Sequence, residues 1–479
     1  MNRSYATTLS LLLLGACITG SMSLDDADAH IAGVDKGLYG FAMTAAQADN
    51  DVELDLVVGA PLRGQVYIHT DVAADAVDGQ LSADDAFVFT GEPGGEAGWS
   101  LAAGELDGNP LYRDLVIAAP VENGGRGRIY VVKGGSVDSD LDAAGWATYV
   151  GDDRHEWAGF SVATGDVNGD GHDDLVVGAS GWANKTGRVF VVYGPLEQGK
   201  GDQELSNADV IIEGDRAGGY FGNALAVADL DHDGQDDIII GHREADLLGK
   251  GALWVVYDAS PGTHAVDDLQ WAARIDGDSQ EGVLGYSLSA GGDVNGDGIA
   301  DLVVGEPQAD CKLHTEEARN ILAPSPNCAG RWSETGRAWL ILGQKWTRLT
   351  DGLVSKKAAA VRKGQDKEGL GWSVTAGGDL NGDGYDDIVV GTNHGHRAQV
   401  HYGYTTDTIA RAASGTDYDA ELVSKEEDYA GQSVAMFDWD VNGDGLDDLF
   451  VAAPNQRWYP DAPSDLPGKV YVVFGQPNE

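Results

Sequence analysis

One acidic loop pattern recurs along this 479-residue chain and restricts its possible folds more than any other feature. In its clearest copy, residues 166–180 read DVNGDGHDDLVVGAS. Oxygen donors stand at alternate positions 1, 3, 5, 7 and 9, the seventh through its backbone carbonyl: Asp166, Asn168, Asp170, His172 and Asp174. This spacing lets a tight loop surround a hard cation with oxygen ligands, and therefore predicts a calcium site.

The residues after the loop indicate its structural context. An EF-hand needs a glutamate at position 12 and a helix, whereas Val177 occupies that position within an apolar run typical of a buried strand. Gly169 and Gly171 permit the positive φ angles of a tight turn. We therefore expect the loop to connect two strands.

Four further copies repeat the pattern with the same donor positions. Loop three is 166–174, and the others are loop four (229–237), loop five (293–301), loop six (379–387) and loop seven (440–448). Their predicted ligands are Asp229, Asp231, Asp233, Gln235, Asp237, Asp293, Asn295, Asp297, Ile299, Asp301, Asp379, Asn381, Asp383, Tyr385, Asp387, Asp440, Asn442, Asp444, Leu446 and Asp448, the seventh-position residues through their carbonyls. Two degraded copies precede them, loop one (47–55) and loop two (105–114), and we expect neither to hold metal tightly. About five calcium ions are therefore predicted, and loop four, with Asp231 in place of asparagine, should fill at the lowest calcium concentration.

The seven copies define seven units, and each unit reads as four short strands separated by polar turns. Seven third strands are present, but the chain ends before a seventh fourth strand, and residues 29–35 match the fourth-strand pattern. This arrangement predicts an all-β, seven-bladed propeller over 29–476, closed by an N-terminal strand that joins the last blade.

The net charge of −47 accompanies a hydrophobic content of 42%, and the acids are concentrated in the loops. Five divalent ions would offset only ten charges, which leaves an acidic surface that disfavours nucleic acid and anionic lipid as partners. Metal binding by the loops is one explanation of the excess of acidic residues, and adaptation to high salt is a second. The sequence leaves both explanations open.

The N-terminus predicts export. A short apolar segment leads into LGAC at residues 14–17, which resembles a bacterial lipobox and implies a signal peptide over 1–16, a lipid on Cys17 and a tether over 17–28. An ordinary signal peptide cleaved near Ser21 or Ser23 is the alternative. The expected location is the outer membrane or cell surface, with membrane contact only through the lipid.

The remaining cysteines, Cys311 and Cys328, lie in an insertion at 308–335. In an oxidising compartment we expect them to form a disulfide, and a free reactive thiol is the alternative.

The units resemble FG-GAP repeats, which build the seven-bladed propeller of integrin α-subunits. The resemblance rests on aromatic-glycine starts such as Gly159-Phe160, on the DxNGDGxxD loops and on endings such as Gly59-Ala60-Pro61, and it covers about residues 38 to 475. It implies calcium in the loops between first and second strands, on one face, and partner recognition by the opposite face.

On that opposite face, the tryptophans in irregular loops are the predicted partner-binding residues: Trp182, Trp332 and Trp458. Trp99, Trp157 and Trp372 are expected to pack between blades instead. His394, His396 and His401 are interpreted as an accidental spacing rather than a transition-metal site.

These observations predict a calcium-binding, integrin-like adhesion module for a protein or polysaccharide, with metal in a structural role. No catalytic motif such as GxSxG or HExxH is present, so the chain is not predicted to be an enzyme. A polysaccharide lyase or hydrolase that uses the loop face is one alternative, and an envelope scaffold is another.

Overall fold

The computed structural model describes residues 20–24, 27–33, 37–49, 51, 53–70, 72, 83, 86–135, 146–199, 201–258, 260–309, 335–365, 368–405, 414–415, 418–424, 428–454 and 468–477. The predictions for Cys17, Cys311, Cys328, Trp332 and Trp458 lie outside these residues.

The described secondary structure consists almost entirely of strands. In chain order the strands are β1 (Gly20–Ser23), β2 (Ala29–Ala32), β3 (Met43–Ala46), β4 (Asp55–Ala60), β5 (Gln65–His69), β6 (Phe87–Thr90), β7 (Ser100–Gly104), β8 (Asp114–Ala119), β9 (Arg128–Val132), β10 (Ala147–Val150), β11 (Ala158–Gly165), β12 (Asp174–Ala179), β13 (Arg188–Val192), β14 (Asp202–Glu204), β15 (Val210–Glu213), β16 (Phe221–Ala228), β17 (Asp237–His242), β18 (Ala252–Val256), β19 (Gly262–Ala265), β20 (Ala272–Asp276), β21 (Leu288–Ala290), β22 (Leu302–Glu306), β23 (Arg337–Ile341), β24 (Gly352–Leu353), β25 (Ala360–Lys363), β26 (Leu370–Ala376), β27 (Ile388–Thr392), β28 (Arg397–His401), β29 (Ser414–Gly415), β30 (Ala420–Val423), β31 (Ser433–Met436), β32 (Leu449–Ala453) and β33 (Lys469–Val473). One-turn helical segments occur at Pro61–Arg63, Glu122–Gly125, Trp182–Lys185, Leu205–Asn207, Val266–Asp268 and Val354–Lys357. None of the described helices has the length and apolar character needed to span a bilayer.

The strands form seven sheets, each with four antiparallel strands, which confirms the predicted seven-bladed propeller. The four strands follow one another along the chain in every blade except the last, whose fourth strand is β2. The blades are β3-β4-β5-β6, β7-β8-β9-β10, β11-β12-β13-β15, β16-β17-β18-β20, β21-β22-β23-β25, β26-β27-β28-β30 and β31-β32-β33-β2. First strands of successive blades contact one another, as β7, β11 and β16 do, so they form the inner layer of the ring. Second strands such as β12 are buried along their whole length because the adjacent blades cover both of their faces.

The predicted closure is confirmed at the N-terminus. Strand β2 pairs antiparallel with β33, with Ala29 opposite Val472 and Ile31 opposite Val470. Ile31 is fully buried. The two ends of the chain therefore share one sheet, and the last blade has its fourth strand.

The structure adds a fifth, parallel strand to five of the blades, which the sequence did not predict. The pairs are β14 with β10, β19 with β15, β24 with β20, β29 with β25, and β1 with β30. Each added strand lies in the segment just before the fourth strand of a blade. It pairs with the outer edge of the preceding blade, where it makes hydrogen bonds to backbone groups that would otherwise be exposed. Strand β1 is part of the segment 17–28 that was predicted as a tether, and in the structure it packs on blade six.

The glycines that recur in the units of this chain have a packing role. A Cβ added to Gly178 on β12 would lie 2.3 Å from the carbonyl oxygen of Gly222 in the next blade. Ser161 Oγ donates a 2.9 Å hydrogen bond to the same carbonyl. In five of the seven blades a glycine of the second strand thus lets the first strand of the next blade approach closely, and alanine occupies this position in β8 and β32.

Candidate metal centres

The five predicted calcium loops lie at one end of the ring. Each loop follows the first strand of its blade and leads into the second, as loop three does between β11 and β12. The third strands end at the same end of the ring, so the connections that follow them lie beside the loops. The prediction that the loops join strands is confirmed.

The ninth loop residue is a buried structural carboxylate. Asp174 is fully buried and accepts hydrogen bonds from the backbone N–H groups of Val167 (3.0 Å) and Gly194 (2.7 Å). Asp114 in loop two makes the matching contacts with Leu106 and Gly134. The aspartate at position 9 joins the loop to the end of the third strand. This structural role explains why it is present even in a degraded loop.

Burial has an electrostatic consequence for this carboxylate. It raises the pKa of Asp174 to about 7; backbone hydrogen bonds oppose the shift, and the nearby carboxylates of Asp170 and Asp166 add to it. The same cause raises the pKa of Asp237 and Asp387 to about 8. A divalent cation would favour the ionised form of each group.

Hydrogen bonds within each loop fix the carboxylate at position 1, the first of the predicted metal ligands. In loop three, Asp166 Oδ1 accepts from the N–H groups of Gly169 (2.7 Å) and Asp170 (3.0 Å), and its Oδ2 accepts from Gly171 (2.8 Å). Gly169 and Gly171 have φ angles of 75° and 89°, as predicted. Asn168 Oδ1 accepts from the Asp170 N–H at 2.8 Å. Backbone N–H groups of the loop therefore position these predicted metal ligands.

Loop four brings three carboxylates together. Ligand atoms of Asp229, Asp231 and Asp237 lie within 4.8 Å of one another, and no other set of three metal-ligating acid, histidine or cysteine side chains does so in the described part of the chain. Asp231 Oδ1 and Asp237 Oδ1 are buried without a hydrogen-bond partner among the described residues. Asn295 Oδ1 in loop five is also buried without a hydrogen-bond partner among the described residues. Because an unpaired buried oxygen is costly, these donors fit a bound cation.

An arginine that the sequence did not predict enters loop four from blade five. Arg348 Nε lies 2.9 Å from Asp231 Oδ2, and one of its terminal nitrogens lies 3.1 Å from Asp233 Oδ2. Two of the four loop-four carboxylates therefore pair with a guanidinium. This charge opposes the gain in calcium affinity that the extra carboxylate of Asp231 was expected to give.

A lysine has a related role in degraded loop two. Lys133, at the end of β9, forms an ion pair with Asp107 Oδ2, and the Asp107 side chain is only 2% exposed. Its ammonium group provides positive charge at a loop that lacks the full set of metal donors.

Hydrogen bonds between neighbouring loops also join the blades. The eighth loop residue accepts from the first backbone N–H of the preceding loop in four places: Glu105 to Asp173, Asp166 to Asp236, Asp293 to Asp386 and Asp379 to Asp447, at 2.7 to 3.0 Å. Ala300 occupies this position in loop five, so the link to loop four cannot form there. Arg348 joins blades four and five at this same boundary.

The opposite end of the ring carries partly buried aromatic side chains at or just before the starts of first strands. We call these residues the aromatic rim: Phe41, Trp99, Phe160, Tyr286 and Trp372. Ring centroids are 4.7 Å apart for Phe41 and Trp99, 5.3 Å for Trp99 and Phe160, and 4.6 Å for Tyr286 and Trp372. Trp99 and Trp372 thus contact aromatics of adjacent blades, as expected for residues that pack between blades, and both side chains also remain partly exposed.

The remaining sequence candidates belong neither to the acidic loops nor to the aromatic rim. Trp182 lies under the guanidinium of Arg188, 4.8 Å from its ring centroid. His401 is buried on β28 and accepts a 3.1 Å hydrogen bond from Arg362 at Nδ1, whereas His396 Nδ1 accepts from the Tyr429 N–H at 3.0 Å.

Comparison with known proteins agrees with this architecture. The FG-GAP repeat model matches residues 158–192, 221–256, 284–320 and 370–405, which are units three to six. Four of the seven units of this propeller therefore match the FG-GAP repeat. Integrin alpha pat-2 of Caenorhabditis briggsae is similar in sequence: it is 28% identical over 292 residues, 57% of this chain and 20% of that relative.

Two more relatives show how far the similarity extends. Integrin alpha-5 of Xenopus laevis is 30% identical over 232 residues, 45% of this chain and 20% of the relative. Phosphatidylinositol-glycan-specific phospholipase D of Homo sapiens is 37% identical over 162 residues, 32% of this chain and 19% of the relative. The matched region thus spans about a fifth of the length of each of these relatives.

Proposed function

We propose that this chain is a calcium-stabilised, integrin-like binding module that holds a protein or polysaccharide partner at its aromatic rim. The observation that carries the proposal is the difference between the two ends of the ring. Acidic loops occupy one end, and partly buried aromatic side chains surround the other.

The metal part of the proposal rests on the donors. Calcium takes six to eight oxygen ligands, and each clean loop provides five at alternate positions. Buried oxygens without hydrogen-bond partners in loops four and five support a cation there. When bound, calcium would supply charge neutralisation that holds the first and second strands of a blade together, which is a structural role.

The partner part rests on the rim. Aromatic side chains anchor protein interfaces because they bury a large apolar area with few rotatable bonds. Five such groups in two contacting sets offer a broad apolar surface at the end of the ring that is away from the acidic loops. The relatives named integrin alpha support a binding role rather than a catalytic one.

For location, we propose export and lipid anchoring at Cys17, on the outer membrane or cell surface. Metabolic labelling with a fatty-acid analogue tests this point. Label that persists in a Cys17→Ser variant would contradict it.

Rim variants test the binding role. The calcium-loaded chain is applied to a glycan array and to an array of surface and matrix proteins, beside Tyr286→Ala, Trp372→Ala and the control Trp346→Ala at the loop end. We expect a saturable ligand whose binding falls at least tenfold in the rim variants and is unchanged in the control. Binding that is absent on both arrays, or that is insensitive to the rim variants, would overturn the proposal.

A further inference from the structure

A cleft of ≈ 470 Å³ lies beside loop four, at the end of the ring opposite the aromatic rim. One wall is the start of the fourth strand of blade four, with Trp271 and Gln270. The other wall is the segment that leads to β24, with Arg348, Thr350 and Asp351. Its volume is within the roughly 300–1,000 Å³ typical of small-molecule sites.

The cleft contains an exposed indole. Trp271 is 54% exposed, whereas Trp254 and Trp339, which lie on third strands, are each 6% exposed. A large aromatic side chain left open inside a concave surface is an apolar platform for a ligand. Trp346 is also exposed (68%), but it does not line the cleft.

Contacts behind the cleft fix its shape. The Arg348 guanidinium lies 5.1 Å from the Tyr257 ring centroid and 5.3 Å from that of Trp271. The Leu349 N–H donates to Tyr257 Oη at 2.7 Å, and the Tyr257 N–H donates to the Trp271 carbonyl at 2.9 Å. Because these groups are already held, a ligand would lose little free energy in ordering them.

The charges favour an uncharged ligand. Asp231 and Asp233 already pair with Arg348, so this guanidinium is not an unmatched anion-binding group. The net charge of −47 further disfavours anions. Gln270, Thr350 and Asp351 surround the indole with an amide, a hydroxyl and a carboxylate. Thr350 Oγ1 accepts from Lys357 Nζ at 2.7 Å and Asp351 Oδ1 accepts from the Arg274 N–H at 2.9 Å. The Thr350 O–H can still donate to a ligand hydroxyl, and the second oxygen of Asp351 can still accept from one.

We propose that this cleft binds a neutral oligosaccharide. The C–H face of a pyranose ring packs on the Trp271 indole, and its hydroxyls exchange hydrogen bonds with Gln270, Thr350 and Asp351. The site is separate from the aromatic rim, so the two surfaces allow the chain to hold a glycan and another partner together.

The test uses the full calcium-loaded chain and four trisaccharide probes: maltotriose, cellotriose, triacetylchitotriose and, as the anionic comparison, trigalacturonate. Binding is measured by calorimetry and by saturation-transfer NMR. We expect at least one neutral probe to bind saturably and more tightly than trigalacturonate. Trp271→Ala should weaken that binding at least tenfold, and Trp271→Phe should weaken it less.

The matched control is Trp346→Ala, which removes a more exposed indole outside the cleft, from a residue whose backbone N–H donates to the Asp231 carbonyl of loop four. It should leave the affinity unchanged, as should Trp372→Ala in the rim, and thermal melts establish that each variant is folded. The proposal is overturned if no neutral probe binds, if trigalacturonate binds best, or if folded Trp271→Ala binds as the parent does. A ligand held by this cleft is lost in Trp271→Ala and kept in the rim variants, whereas a rim ligand shows the reverse, so failure here is distinguishable from failure of the proposed function.

Discussion

Arg348 pairs with Asp231 across the boundary between blades four and five, with Nε 2.9 Å from Oδ2. Asp231 is the aspartate that replaces the third-position asparagine of the other clean loops, and Arg348 also contacts Asp233. Asp231 and Arg348 thus form an ion pair between the two blades. A metal ion that enters loop four competes with a positive charge that the protein already supplies.

We expect Arg348→Met to raise the calcium affinity of loop four several-fold, because Asp231 and Asp233 are then released for the ion. Calorimetric calcium titration measures the change. In the Asp231→Asn background the gain should be smaller, since the carboxylate of Asp231 is already absent. Lys345→Met, which removes a neighbouring positive charge outside the loop, is the control. A fall in affinity on removal of Arg348 would mean that the arginine supports the metal site.

Lys133→Met should lower the free energy of unfolding by about 1–2 kcal/mol, because it leaves the nearly buried Asp107 carboxylate without its ion pair. The estimate is kept low because the lysine side chain is 44% exposed. Urea unfolding measures the loss, and Lys133→Arg should retain most of the stability. Equal midpoints for Lys133→Met and the parent would show that the pair contributes nothing.

Chelation of divalent ions should lower the melting temperature by several degrees. Each site saturated at a hundred times its dissociation constant adds about 2.7 kcal/mol to the folded state. Differential scanning calorimetry in calcium and in EDTA measures the difference. Sodium chloride at matched ionic strength separates specific binding from the screening that salt adaptation would predict. If salt restores stability as well as calcium does, the loops are not structural metal sites.

Ring closure predicts that Ile31→Ala costs about 2–5 kcal/mol, the usual loss for a fully buried aliphatic side chain. His30→Ala, on the exposed face of the same strand, is the matched control and should have little effect. Deletion of residues 20–33 should lower the melting temperature of the whole ring. A melt unaffected by that deletion would mean that β2 does not hold the ring closed.

The repeated parts of the fold could be predicted from the sequence because every unit gives the same signal. Alternating third strands, the acidic turns and the unmatched fourth strand at 29–35 together determined the blade count and its closure. The fifth strands could not be found in this way. They have two to four residues, and their pairing depends on the edge of a neighbouring blade.

Two positively charged side chains at the loops, Arg348 and Lys133, show what could and could not be predicted from the sequence. Arg348 is separated from Asp231 by 117 residues, so only the fold brings them together. Lys133 did leave a signal: the matching position after the third strands of blades three to seven is Tyr193, Tyr257, Leu342, Tyr402 or Phe474, and after that of blade one it is Thr70. A lysine in that apolar series, behind a degraded loop, indicates a replacement for metal.

His401 gives a prediction for pH. Burial, with Arg362 nearby, lowers its pKa to about 3, so the folded protein keeps the imidazole neutral. Between its ordinary value near 6.5 and about 3, the unfolded chain binds a proton that the folded chain does not, and stability therefore falls as the pH falls.

From pH 6.5 to 5 this residue should cost about 2 kcal/mol, at 1.36 kcal/mol per pKa unit. His401→Gln, which keeps an acceptor for Arg362, should remove that part of the acid dependence. Urea unfolding at both pH values in millimolar calcium measures it, because calcium bound as proposed would keep the loop carboxylates ionised at both pH values. His69, whose pKa burial lowers to about 4, should show the same behaviour independently in His69→Gln. An unchanged slope in His401→Gln, or an imidazole NMR signal that titrates near pH 6.5 in the folded protein, would contradict the prediction.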